Sequence, residues 1–241
     1  MHTYTDQRVK EEYWQKGYIS IKNLFTKDEV IKIIEECDRL VSQPDLLSQE
    51  IPEAATRHDI NGKISRDRLD PVIHLSPLFE KISQDKSLKE LLEKIFDDEA
   101  VLFKAKLIFK PAGTNGYGLH QDYAYYKHTG IPADAMLSVQ IAVDSAKAEN
   151  GALIVYPGLH KSTLPSPGDS PRDVNPSAVS GATQEVIETS PGDILIFHSL
   201  TPHFSGANLS QGSRRTLYLT YNAKSYGDFY RSYYGDRLIS E

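Results

Sequence analysis

The segment Pro191-Gly192-Asp193-Ile194-Leu195-Ile196-Phe197-His198-Ser199-Leu200-Thr201-Pro202-His203-Phe204-Ser205-Gly206 decides how the chain is read. A Pro-Gly-Asp turn feeds an unbroken apolar run, the pattern of a strand buried on both faces. Further short β-rich runs lie around it, at 101–110, 137–143, 152–156, 185–188 and 216–221. Turn signals separate them: Pro111, Asn150-Gly151, Pro157-Gly158 and Gln211-Gly212. Many short strands between such turns predict a sandwich or barrel.

Working outward, residues 1–100 carry the helical signals. Thr26-Lys27-Asp28-Glu29 fits a capping box. Val30, Ile33, Ile34, Cys37, Leu40 and Val41 follow at helical spacing, which predicts a helix over about 27–42. Leu88, Leu91, Leu92, Ile95 and Phe96 form a second stripe. Tyr18–Ile21, entered through Gly17, reads as a short strand. The stretches 44–74 and 162–182 lack periodicity and read as two loops with the length of functional lids. The tail from Tyr226 to Tyr234 is aromatic-rich; it either covers a site or packs on a second copy in a homodimer.

Composition bounds the function. The chain has 241 residues, 39% hydrophobic and 25% charged, as an ordinary soluble domain has. The reading is one domain over 1–241: a helix-rich part to about 100, a β core over 101–222 and a tail over 223–241. The net charge of -6 disfavours a general nucleic-acid or anionic-membrane surface. Cys37 is the sole cysteine, which rules out an intrachain disulfide and a multi-thiolate zinc site. No apolar run approaches the roughly 20 residues of a membrane span, and the first residues lack a signal-peptide stretch. The expected setting is the cytoplasm, with a small-molecule partner.

The chemistry sits on histidines. His2, His58 and His128 lie in polar contexts and read as surface residues; His74 and His160 read as satisfied core or loop residues. His120 and Asp122 differ. If residues 119–123 are extended, both side chains project to one face. They would then supply an imidazole and a carboxylate, two of the three ligands of a 2-His-1-carboxylate facial triad. On spacing, either His198 or His203 could be the third. A dicarboxylic cosubstrate such as 2-oxoglutarate also needs a buried guanidinium for its far end. Of Arg214 and Arg215, alternation sends one inward.

These motifs, in this order, resemble the phytanoyl-CoA dioxygenase-like family of Fe(II)/2-oxoglutarate oxygenases. The resemblance runs from Gly17-Tyr18-Ile19-Ser20-Ile21 through Leu107-Ile108-Phe109-Lys110-Pro111 and Leu119-His120-Gln121-Asp122. It continues in Glu149-Asn150-Gly151-Ala152-Leu153, Pro157-Gly158-Leu159-His160 and the segment from Gly192 to Arg214. It implies a mainly β (α+β) fold with a double-stranded β-helix, or jelly-roll, core and flanking helices. It implies that His120, Asp122 and His203 hold Fe(II), His203 being preferred because it precedes Ser205-Gly206. Arg214 and Ser205 would bind 2-oxoglutarate, with Gln121, Lys106 and Gln140 as further contacts. The implied reaction is C–H hydroxylation of a small metabolite with O2, releasing succinate and CO2. The carboxylate at Asp122 favours hydroxylation over halogenation, which needs a small residue there. Tyr123, Tyr125 and, in the first lid, Arg66 are the expected substrate contacts. The alternatives are a non-catalytic jelly-roll protein that binds metal and 2-oxoglutarate, or a cupin-like isomerase or hydrolase without a cosubstrate anchor.

Overall fold

A computed structural model describes residues 6–43 and 53–235. Helix α1 (Asp6–Lys16) leads into β1 (Tyr18–Ile21) and α2 (Lys27–Ser42). The capping box forms as expected: Thr26 Oγ1 accepts from the Glu29 amide, and the Glu29 carboxylate accepts from the Thr26 amide at 2.8 Å. Ile33, Cys37 and Leu40 are the buried face of α2. Next come β2 (Ala54–His58), β3 (Ile64–Leu69), α3 (Pro77–Ser83) and α4 (Lys86–Phe96). The remaining strands are β4 (Ala100–Lys110), β5 (Tyr117–His120), β6 (Met136–Ala142), β7 (Leu153–Val155), β8 (Glu185–Ile187), β9 (Ile194–His198), β10 (His203–Ser205) and β11 (Arg214–Ala223). Two short helices, α5 (Tyr123–Tyr126) and α6 (Tyr230–Tyr234), complete the order. No helix among the described residues is long and apolar enough to cross a membrane.

The strands form two antiparallel sheets. The larger has the order β1-β9-β6-β11-β4-β3-β2 and the smaller the order β5-β10-β7-β8. From β4 to β11 the chain passes back and forth between them, which is a jelly roll. The expected fold class holds.

Side-chain alternation divides the larger sheet into two unlike faces. Leu107, Phe109, Val139, Ile141, Ile194, Ile196, Leu217 and Leu219 belong to the main apolar core, shared with Tyr13, Leu40, Leu88 and Leu92 from the helices. The opposite face carries Lys104, Lys106, Lys110, Ser138, Gln140, Arg214, Thr216, Tyr218 and Thr220, interspersed with apolar residues. There Ile108 and Tyr218 pack on Leu153, Val155 and Ile187 of the smaller sheet.

One expectation changes. Residues 53–74 are not a free lid: β2 and β3 extend the larger sheet beside β4, and the part at 44–52 lies outside the described residues. The periodicity is hidden because β3 buries charge. Asp67 is paired with Arg57 at 3.2 Å and Arg68 at 2.6 Å, so a polar sequence forms an interior strand. The tail returns to its own chain. The Tyr234 hydroxyl donates to Asp70 at 2.7 Å and accepts from the Ala105 amide at 3.1 Å.

Leu107 is fully buried between sheet and helices. Leu107→Ala is expected to lower stability by about 2–5 kcal/mol, read as a shift in the denaturant midpoint at unchanged slope.

Candidate metal centre

Strands β5 and β10 pair antiparallel with His203 directly opposite His120. Their ring centroids are 4.2 Å apart. Asp122 reaches the same point by a different route from the one expected. The chain leaves extended geometry after His120, and Asp122 is helical, at the N-terminal boundary of α5. It is a turn, not strand alternation, that brings the carboxylate back. Asp122 Oδ1 lies 3.5 Å from His120 Nε2 and 3.9 Å from His203 Nε2, and one ligand atom from each residue lies within 4.8 Å of the others.

The surrounding hydrogen bonds set the chemistry of these atoms. His120 Nδ1 is 2.7 Å from the Gly118 carbonyl, and His203 Nδ1 is 2.9 Å from the Thr201 carbonyl. A carbonyl only accepts, so each Nδ1 carries the proton and each Nε2 presents a lone pair. Ser138 donates to Asp122 Oδ2 at 2.8 Å, leaving Oδ1 to face the imidazoles. Burial and the neighbouring His120 push the His203 pKa down to about 4, so its ring is neutral at pH 7. Burial works against ionisation of Asp122, but His120, His203 and Lys106 outweigh it and hold the carboxyl far below its ordinary range. The donor set is two imidazole Nε2 atoms and one carboxylate, the set that suits a divalent iron.

His198, the other spacing candidate, is turned away. It is fully buried against Trp14 and His160, with Nε2 3.2 Å from Asp134 and Nδ1 accepting from the Leu200 amide. His160 packs against Gly17 so closely that a Cβ there would fall 2.5 Å from the ring. The Gly17, Pro157–His160 and His198 motifs therefore meet in a packing cluster behind the metal centre.

Arg214 points between the sheets and Arg215 outward, where Asp144 pairs with it at 2.8 Å. The Arg214 guanidinium donates to Thr216 Oγ1 at 2.9 Å, and its Nε has no partner although the residue is 2% exposed. On the same face Tyr218 donates to Gln140 Oε1 at 2.9 Å, and the Gln140 Nε2 is likewise unpartnered. Buried donors without acceptors are costly, which points to an anionic ligand between them. Ser205 Oγ accepts from Lys110 at 2.9 Å and from the Tyr117 amide at 3.2 Å. Its own proton remains free to donate.

Other expected contacts divide. Tyr125 lies edge-on to His120, with the Arg172 guanidinium 5.3 Å from its ring centre. Tyr123 donates to the Ile131 carbonyl. Lys106 faces the site. Gln121 does not: its amide is engaged by Ser162, Leu164 and Leu200, so it braces the 162–182 loop. That loop does reach the centre, through a bridge between Asp173 and His120. Arg66 is a correction. It stacks on Phe109 and reaches the Val41 carbonyl on the helix side of the sheet, while Arg68 turns to Asp67 and Asp70. Ser138, Lys110, Thr216 and Tyr218 were missed by sequence reasoning, although counting by twos from Arg214 puts Thr216 and Tyr218 on its face. A cavity of about 780 Å³ lies elsewhere, between α3, the start of β4 and α6.

Two imidazoles and one carboxylate that could hold a metal ion thus share a jelly roll with a buried guanidinium. The chain belongs to the phytanoyl-CoA dioxygenase (PhyH) family, whose model matches residues 13–216. Among its relatives, the methylphosphonate hydroxylase of Gimesia maris is 37% identical over 61% of this chain and 54% of its own length. The 2-aminoethylphosphonate dioxygenase of uncultured bacterium HF130_AEPn_1 is 32% identical over 61% and 55%. The chain thus spans about half the length of these two relatives. The ectoine dioxygenase of Bordetella bronchiseptica is 26% identical over 88% and 74%. Among solved structures, EctD from S. alaskensis with 2-oxoglutarate and 5-hydroxyectoine superposes with a TM-score of 0.79 at 20% identity, covering 93% of this chain and 79% of that one.

Ser138 touches the ligand carboxylate without joining the ligand set. Ser138→Ala is expected to weaken Mn(II) affinity by about tenfold, measured by paramagnetic resonance titration, with the fold retained.

Proposed function

We propose that this protein is an Fe(II)- and 2-oxoglutarate-dependent oxygenase that hydroxylates a C–H bond of a small metabolite, releasing succinate and CO2. One observation carries the reading: three ligand atoms, oriented by their own hydrogen bonds, converge on the smaller sheet, and the inner face of the larger sheet holds buried guanidinium and amide nitrogens that lack acceptors. The family and the hydroxylases and dioxygenases among its relatives support it.

On this reading His120 Nε2, Asp122 Oδ1 and His203 Nε2 hold the iron. Arg214 anchors the far carboxylate of 2-oxoglutarate, with Ser205 and Gln140 as neutral donors. When bound, iron and 2-oxoglutarate supply the oxidising power for C–H hydroxylation by O2, with decarboxylation of the cosubstrate. The protein contributes position and exclusion of water. Asp173 and Val174 seal the β5 edge, Val174 donating to the Leu119 carbonyl at 2.9 Å. A carboxylate at Asp122 fills the position a halide would need, which supports hydroxylation. The relatives named for phosphonates and ectoine support a small polar substrate. The net charge of -6 and a buried Cys37, its thiol pKa pushed up to about 12 by burial, agree with a cytoplasmic enzyme for a freely diffusing metabolite.

Anaerobic addition of Fe(II) and 2-oxoglutarate is expected to give a visible charge-transfer band. Asp122→Ala should abolish it, and Arg214→Ala should raise the 2-oxoglutarate needed for half-saturation by about tenfold or more. A folded wild-type protein that shows no band would remove the basis of the reading.

A further inference from the structure

The inner face of β4 presents Lys104, Lys106 and Lys110, three lysines in a layer that packs between two sheets. Two of them are satisfied. Lys110 donates to Ser205 Oγ, the Gly206 carbonyl at 2.6 Å and the Gly151 carbonyl at 3.3 Å. Lys104 is paired with Asp70 at 2.9 Å and bonded to the Tyr233 hydroxyl at 3.0 Å. Lys106 has neither a hydrogen bond nor an ion pair among the described residues. Its ammonium lies 5.1 Å from the centre of the Tyr218 ring.

The carboxylates near Lys106 are already engaged. Asp70 is held by Lys104, Tyr234 and Arg68. Asp122 is held by Ser138 and faces the two imidazoles. Burial lowers the Lys106 pKa, and Lys104 and Arg68 lower it further, with Asp122 and Asp70 opposing them. The flank toward β3 carries Arg57, Arg68, Lys104 and Lys106 against Asp67 and Asp70.

On the function proposed above, the loaded centre is electrically closed without Lys106. A ferrous ion, the Asp122 carboxylate, the 2-oxoglutarate dianion and the Arg214 guanidinium sum to zero charge. Lys106 is left over. It also stands across Tyr218 from Gln140, since the β4–β11–β6 register runs Lys106, Tyr218, Gln140. Gln140 lies on one side of that tyrosine and bonds to it, and Lys106 with Arg68 lies on the other; Arg214 is two rungs away along β11, opposite Lys110.

We propose that Lys106, with Arg68 beside it, receives an oxyanionic group of the substrate, a phosphonate or a carboxylate. The scale follows from the sheet. The rung next to Lys106 holds Thr220 and Ser138, the residue that grips Asp122. Successive same-face rungs are about 7 Å apart. The oxidised carbon therefore lies only a few bonds from the anion, and the substrate is compact. This reassigns Lys106 from the 2-oxoglutarate contact expected on resemblance, and it rests on the oxygenase reading.

The test uses the whole protein with Fe(II) and 2-oxoglutarate under anaerobic conditions, titrated separately with methylphosphonate and acetate. The charge-transfer band reports cosubstrate binding, and its perturbation reports the probe. At least one oxyanion is expected to perturb the wild-type band. Lys106→Met should weaken that probe by about tenfold or more, the loss of a charge-assisted contact, with 2-oxoglutarate affinity changed less than about twofold. Lys106→Gln serves as a second variant if the methionine protein does not fold. Unchanged probe affinity in the variant, or a loss confined to 2-oxoglutarate, overturns the proposal. So does an intact wild-type band that neither oxyanion perturbs. Absence of the band in wild type instead removes the oxygenase reading itself.

Discussion

The pairing of β10 against β5 fixes the candidate metal centre, because it sets His203 opposite His120 and so determines where any third ligand must arrive. Opposed residues in an antiparallel ladder have their side chains on one face at about 5 Å. That distance suits two imidazoles sharing an ion. The remaining freedom is ring rotation, and the Gly118 and Thr201 carbonyls remove it by accepting hydrogen bonds from Nδ1. Two backbone carbonyls thus settle both tautomer and aim, and Asp122 needs only a turn to complete the face.

The larger sheet makes this arrangement tolerable. Both its faces are covered, yet only one is mainly apolar. Helices α1, α2 and α4 cover the apolar face with the main core, and its burial contributes about 25 cal/mol per Å². The inner face places guanidinium, ammonium, amide and hydroxyl groups where water is scarce. Several are matched inside the fold, as Lys110 is by Ser205 and two carbonyls. Others, Arg214 Nε and Gln140 Nε2 among them, are left without acceptors. A sheet built from period-two strands can keep these environments apart with no extra layer.

The jelly roll was legible because its strands are short, apolar and bounded by Pro-Gly and Asn-Gly turns. Helix α2 was legible because Thr26 and Glu29 mark its start by local hydrogen bonding alone. Strands β2 and β3 were not, since their interior is stabilised by Asp67 with Arg57 and Arg68, which reads as a solvated loop. Arg66 was misplaced for the same reason. His120 and Asp122 were found by spacing, but the assumed mechanism was wrong: a helical turn after β5, invisible to alternation, brings the carboxylate around. Choosing His203 over His198 needed the resemblance, because both follow the same buried strand. The strand pairing of His203 with His120, and the packing of His198 against Trp14 and His160, tell them apart. Gln121 shows the converse limit. A polar residue between two ligands reads as a site contact, but its amide is used to hold the 162–182 loop.

That brace links loop and metal centre in a definite way. Gln121 lies between His120 and Asp122 and accepts from the Leu164 amide, while Asp173, midway along the same loop, bridges to His120. The first half of the loop is therefore fastened at two points to the short peptide that carries two of the candidate ligands. A displacement of the loop would strain His120 and Asp122 directly, and an ion that fixes them would in turn stiffen the loop. Coupling of this kind needs no distant relay, because cover and ligands share three consecutive residues. It places the control of solvent access in the same local structure that sets the geometry of the metal.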